Sequence, residues 1–176
     1  TDELAGVNIT GGTVSLTAQN GGIAAEVDAS AQISADASAT ADQTITLAST
    51  TGDLRLGAIA TSGTNGTVNL TSTAGITQTS GQVVTSTLNV TAPGSVGSAT
   101  SLLNTTVGTL NAANPGGLFV NEADALVLSN VNSTAAVSVV AGGEITGAAN
   151  VSAVGDASIE GAALTLGAVT ATGAAE

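Results

Sequence analysis

Phe119 is the only aromatic residue in a chain of 176, and that shortage restricts the fold more than any motif does. A ball-shaped core normally uses large rings to fill irregular space at its centre. Here the apolar residues make up 43% of the chain and, Phe119 apart, are all Ala, Val, Leu and Ile. Small aliphatics of similar size fill space well in a core that is thin and regular, which favours a quasi-one-dimensional architecture. The same apolar content argues against disorder, whose signature is low hydrophobicity with high charge.

Short period-2 runs recur along the chain: Val14-Ser15-Leu16, Ile45-Thr46-Leu47, Val68-Asn69-Leu70, Leu88-Asn89-Val90, Val137-Ser138-Val139 and Leu164-Thr165-Leu166. Each reads as a strand with alternate side chains pointing inward. Clusters such as Asn20-Gly21-Gly22 and Thr64-Asn65-Gly66 read as turns between them. No window carries an apolar stripe at helical spacing with good helix formers around it.

The runs also repeat. Leu54 to Gly63 (LRLGAIATSG) returns as Leu164 to Gly173 (LTLGAVTATG), with a weaker copy at Leu126 to Val131. Val68 to Thr77 (VNLTSTAGIT) returns as Val137 to Thr146 (VSVVAGGEIT). Nearer neighbours start at Ile45, Val68 and Leu88, so they are 23 and 20 residues apart. Self-similarity on this scale is the mark of a solenoid. Three short strands per coil and roughly eight or nine coils at about 4.8 Å each give an all-β, parallel β-helix (β-solenoid) roughly 40 Å long. The whole of residues 1–176 reads as a single β-solenoid segment, expected to belong to a longer repetitive chain or fibre.

From Val27 to Leu47 the alternation is almost unbroken, with Val27, Ala29, Ala31, Ile33, Ala35, Ala37, Ala39 and Ala41 on one side and no Gly or Pro to turn the chain. One coil with polar corners and a core narrowed to alanine is the expected form. A long strand donated to a neighbouring subunit is the alternative.

The VNLTSTAGIT, VSVVAGGEITGAANVSAVGDASI and LTLGAVTATG segments resemble the repetitive passenger of filamentous-haemagglutinin-like adhesins, exoproteins of the two-partner and autotransporter kind. The resemblance covers most of the chain from about Gly11 onward and rests on repeat texture. It implies a right-handed parallel β-helix reaching outward from a bacterial cell surface. It brings no binding motif, so no site residue is carried over.

Chemistry is restricted by what the chain lacks. Thirteen acids stand against one base, for a net charge of −12, with no His, Cys, Met, Trp or Tyr. That removes the usual neutral-pH general base, the thiol nucleophile, the Schiff-base lysine and the imidazole metal ligand. The charge repels a phosphate backbone, so nucleic acid is not an expected partner. A lyase acting on uronates needs several basic groups, and Arg55 stands alone beside Asp53. A glycosidase needs two carboxylates across a cleft, which sparse acids without an aromatic wall do not suggest. No enzyme is expected, with no catalytic, cofactor or metal residues.

Calcium is the most tempting ligand, given Glu26, Asp28, Asp36 and Asp42, and again Glu122 and Asp124. Acids alternating along a strand lie about 7 Å apart, too far to chelate together, so solvated faces are expected and no cofactor. Arg55 is expected to be solvated, paired with Asp53 or a neighbouring coil. Phe119 is expected to be buried, and some asparagines to point inward at turns and stack amides on the next coil. Thr-x-Thr pairs start at 44, 71, 77, 85 and 170, without constant spacing, so no flat array is expected from them.

No run of about 18 apolar residues suggests a membrane span. No basic start followed by an apolar stretch is visible, and the chain reads as a processed product or an excised segment. Absence of cysteine, acidity, lack of lysine and abundance of Thr, Ser, Asn and Gly suggest an extracellular protein of a bacterial cell surface. With no polar cap evident, the ends are expected to meet a neighbouring repeat or another copy. A host or matrix glycan or protein is the alternative partner, and an antiparallel Ig-like adhesin repeat the alternative fold.

Overall fold

The computed structural model describes residues 8–28, 31–147 and 150–173, which contain strands and no helix. The chain opens with β1 (Asn8–Ile9), β2 (Thr13–Thr17), β3 (Ile23–Val27), β4 (Gln32–Asp36), β5 (Thr44–Ser49) and β6 (Leu54–Ala60). The middle holds β7 (Thr67–Ser72), β8 (Ile76–Gln78), β9 (Val83–Thr91), β10 (Leu103–Ala113), β11 (Leu118–Glu122) and β12 (Leu126–Ser133). The last part holds β13 (Val137–Ala141), β14 (Ile145–Gly147), β15 (Val151–Ala153), β16 (Ala157–Glu160), β17 (Leu164–Leu166) and β18 (Val169–Ala171).

Every pairing between these strands is parallel, each joining one coil to the next. Together they form a β-solenoid of about eight turns. The antiparallel sandwich is thereby set aside. The only antiparallel bridge among the described residues, Ser98 to Ser101, closes a small excursion from one coil.

The core is a set of vertical columns. Ile45, Val68, Leu88, Leu110 and Leu128 lie beside one another in register. Leu54, Ile76, Val96, Leu118, Val137 and Ala157 form a second column. All are buried. Like thus packs on like, coil after coil, and a chain with a single ring can close its core without voids that only an aromatic would fill.

Residues per coil vary from 17, between Asn104 and Asn121, to 24, between Thr61 and Thr85. The columns survive because slack is taken up at corners. Only the last two coils have the three short strands expected, β13/β14/β15 and β16/β17/β18. In the middle coils β9, β10 and β12 each run through a corner as one continuous strand. In β9 the alternation slips phase at Ser86-Thr87, in β10 at Gly108-Thr109 and in β12 at Ser129-Asn130, each time two successive residues facing outward. A phase slip redirects the inward face at the cost of a local gap in the ladder, which resumes on the far side of the corner.

The near-neighbour spacings of 23 and 20 residues mark stacked positions, Ile45 on Val68 and Val68 on Leu88. Of the long-range copies only Leu126 and Leu164 share a column, through Ile145. Leu54 stands in the β6–β8 column, whereas Leu164 pairs with Ile145 in β14. The repeated unit therefore describes a strand–turn–strand corner that recurs on different faces.

The alanine-rich segment is a coil, as its first reading expects. β4 pairs with β2 on one side and β6 on the other, leaving no edge for donation. Ala31, Ile33, Ala35 and Ala37 are buried, while Ala39 and Ala41 are exposed. Without Gly or Pro the turn is made by aspartates. Asp36 Oδ1 accepts from Ser38 N (2.9 Å) and Ser38 Oγ (2.6 Å), and Asp42 takes a left-handed φ of 61°, which Asp tolerates better than most residues. Ala29 of this run, and the chain ends on which the uncapped-end expectation partly bears, lie outside the described residues.

Candidate functional site

Buried polar side chains collect at the corners. Thr61 Oγ1 donates to Thr85 Oγ1 (2.8 Å), and Thr85 Oγ1 donates to Gly66 O (2.9 Å). Ser72 Oγ donates to Gly52 O (2.7 Å), and Ser133 Oγ to Pro115 O (3.1 Å). Such bonds satisfy hydroxyls that the inward face would otherwise strand. Among the described residues Ser49 Oγ is the buried side-chain oxygen left without a partner.

Glu122 is the most unusual of these groups, a carboxylate only 2% exposed at the end of β11. Oε2 accepts from Thr105 Oγ1 (2.7 Å) and Val107 N (3.0 Å), and Oε1 from Ala123 N (2.9 Å) and Asp124 N (3.3 Å). It thereby ties the β10 corner to the turn after β11. Burial pushes its pKa up, against the pull of these donors, and the neighbouring Asp124 carboxyl adds to the rise.

A carboxyl whose folded pKa is raised takes its proton in the native state first. Folding stability should therefore increase as pH falls through the folded pKa toward the ordinary 4.5. Relief of the self-repulsion of a −12 chain acts in the same direction. Asp36 acts oppositely, because the Ser38 bonds lower its pKa, and its contribution is lost only below 3.8. Denaturant midpoints measured from pH 7 to pH 4.5 should rise, and Glu122→Gln should flatten that rise. A midpoint falling steadily on acidification would contradict the assignment.

Two further acids serve turns. Asp53 Oδ1 accepts from Gly75 N (2.8 Å) and Asp42 Oδ1 from Asn65 N (2.8 Å), each capping the next coil's turn. Among the described residues no three acids come together in a way that would hold a metal. Arg55 is exposed in β6 and makes no ion pair with Asp53, whose carboxylate is committed to Gly75. Phe119 departs from its expected burial. It is half-buried on the outward face of β11, with its ring beside Gly117, because Leu118 and Val120 on either side take the inward positions.

The outward face of β5, β7 and the second halves of β9 and β10 is the most ordered surface. Pairing aligns three columns over four coils: Thr44, Thr67, Thr87 and Thr109; Thr46, Asn69, Asn89 and Asn111; Ala48, Thr71, Thr91 and Ala113. The amides form a ladder, with Asn111 Nδ2 donating to Asn89 Oδ1 (2.8 Å), Asn89 Nδ2 to Asn69 Oδ1 (2.8 Å) and Asn69 Nδ2 to Thr46 Oγ1 (3.3 Å). Amide stacking was expected from the sequence, but inward and at turns. It lies outward and mid-strand, where every coil presents the same position. The Thr-x-Thr pairs form no array, as expected; coils of unequal length instead bring single threonines into line.

A shallow open trough of about 470 Å³ runs beside this face over the corner column, lined by Thr61, Ser62, Thr85, Ser86, Thr106 and Asp124 among others. Its walls are hydroxyls, glycine, short aliphatics and the Asp124 carboxylate, without a basic side chain or an aromatic platform. No helix among the described residues is long and apolar enough to cross a membrane. Comparison with protein-family models, with curated proteins and with solved structures finds no match.

Proposed function

We propose that this chain is a non-catalytic structural shaft, a length of extracellular adhesin or surface filament on a bacterial cell. The observation that carries the reading is the parallel pairing that joins each coil to the next around one aliphatic core. Such a body resists bending because backbone hydrogen bonds run along its axis, and length is added simply by adding coils. The extracellular, cell-surface placement rests on the composition and on the resemblance of the repeats to haemagglutinin-type passengers.

End-to-end contact with a neighbouring repeat or another copy follows the same logic. In the last coil Leu164 is 50% and Val169 38% exposed, where the inner coils bury such residues. Oriented specimens of the polypeptide that carries this segment should show thin rods with an axial repeat of about 4.8 Å. Compact, dispersed particles would argue against a shaft. A glycan- or protein-binding module is the second reading, favoured only by the outward placement of Phe119. A glycan array probed with the wild type and Phe119→Ala would decide it.

A further inference from the structure

We propose that the threonine–asparagine face is where two copies of this chain pack side by side, sheet against sheet. Charge distribution is the first argument. The chain carries 13 acids and one base, so two copies repel one another overall. None of the twelve residues in the three columns is charged, and the nearest acid in line with them is Glu26, one coil beyond Ala48. The third column continues uncharged through Asn132, Ser152 and Thr170.

Shape is the second argument. The first two columns present side chains of similar height on neighbouring coils, the third has Thr71 and Thr91 between alanines, and the amide ladder ties the central column together. Opposed copies carry the same repeat of about 4.8 Å, so threonine methyls and hydroxyls of one can seat between those of the other, as in stacked sheets about 10 Å apart. The hydroxyls of Thr44, Thr71, Thr87, Thr91 and Thr109 are not consumed by hydrogen bonds within the described residues and remain free to bond across the interface. Thr67 alone of the first column donates within its own chain, to Asn65 O at 3.1 Å.

Area sets the strength. Four coils by five residues cover on the order of 300 Å² per copy, well below the ~800 Å² per partner of a standard stable interface. The association is therefore weak, reversible and concentration-dependent. It is suited to rods already held close together, and it does not depend on the end-to-end contacts proposed above.

The test is sedimentation velocity of the protein across the micromolar to millimolar range, at low and at high salt. The wild type should associate increasingly with concentration, and more so with salt, because screening removes the long-range repulsion and leaves the uncharged face intact. Thr87→Glu with Thr91→Glu should abolish association. Ser138→Glu with Ser158→Glu adds the same two charges to the outward face of β13 and β16 and should leave association within twofold of wild type at high salt. Mixing the Thr87→Glu/Thr91→Glu variant with Thr87→Lys/Thr91→Lys should restore it, which excludes misfolding as the cause. A wild type that stays monomeric throughout overturns the proposal. So does association that survives in the Thr87→Glu/Thr91→Glu variant, which would assign it to the coil ends, or equal loss in both glutamate pairs.

Discussion

Leu110→Ala is expected to lower the free energy of unfolding by about 2–5 kcal/mol, the usual cost of emptying a closed leucine site. Leu110 is fully buried and lies between Leu88 below and Leu128 above. In a globular core, neighbours from several directions can lean into a cavity. Here the two flanking coils are fixed by the ladder at their own spacing, so collapse is limited and the cost should fall toward the upper end. Each coil contacts only its neighbours, so the weakened coil should also split the transition, lowering the apparent m-value along with the midpoint. Urea titration by circular dichroism measures both. A loss below 1 kcal/mol would mean that the column has slack that its register does not suggest.

Gly97→Val should do comparable damage for a different reason. Gly97 has φ +69°, a left-handed conformation that a β-branched residue adopts only with strain of about 1–3 kcal/mol. A Cβ built there would meet Phe119 O and lie 3.0 Å from Leu103 N. Both are backbone atoms with little freedom, since Gly97 N donates to Ile76 O (2.8 Å) and Phe119 N to Val96 O (2.8 Å). Displacing them adds about 1–3 kcal/mol. Gly97→Ala should cost less, because it keeps the clash and the left-handed backbone but avoids the branched side chain, and the difference between the two variants in thermal or urea unfolding measures what branching adds. Equal stability of Gly97→Val and wild type would mean that this corner relaxes freely.

Architecture was legible in the sequence because it depends on a property every coil shares. Alternation of Val, Leu and Ile with Thr, Ser and Asn sets the inward face, and the lack of rings sets the thickness of the core. The starts at Ile45, Val68 and Leu88 gave the stacking directly. What stayed hidden depends on register, which the chain does not spell out as a fixed period. Corners at Ser86-Thr87 and Gly108-Thr109 are breaks in alternation inside a continuous strand, and a search for Gly and Asn clusters passes over the first of them. Glu122 is buried because it closes a corner, a fact that its neighbour Asp124 on the surface does nothing to announce. The Thr-x-Asn-x-Thr strings at 67–71 and 87–91 were the signal for the aligned face. Comparing strings at stacked positions, instead of asking for equal intervals, would have found it.

Variable coil length has a further meaning for how such a chain can change. A coil of 17 residues and one of 24 sit in the same stack, and the Ser98–Ser101 excursion leaves Val96 and Leu103 in their columns. Length differences are absorbed where the chain bends, so residues can be inserted or deleted at bends without disturbing the layers above and below. Natural variation, or deliberate grafting of a recognition loop, can therefore accumulate at the rim while the axis remains a fixed scaffold.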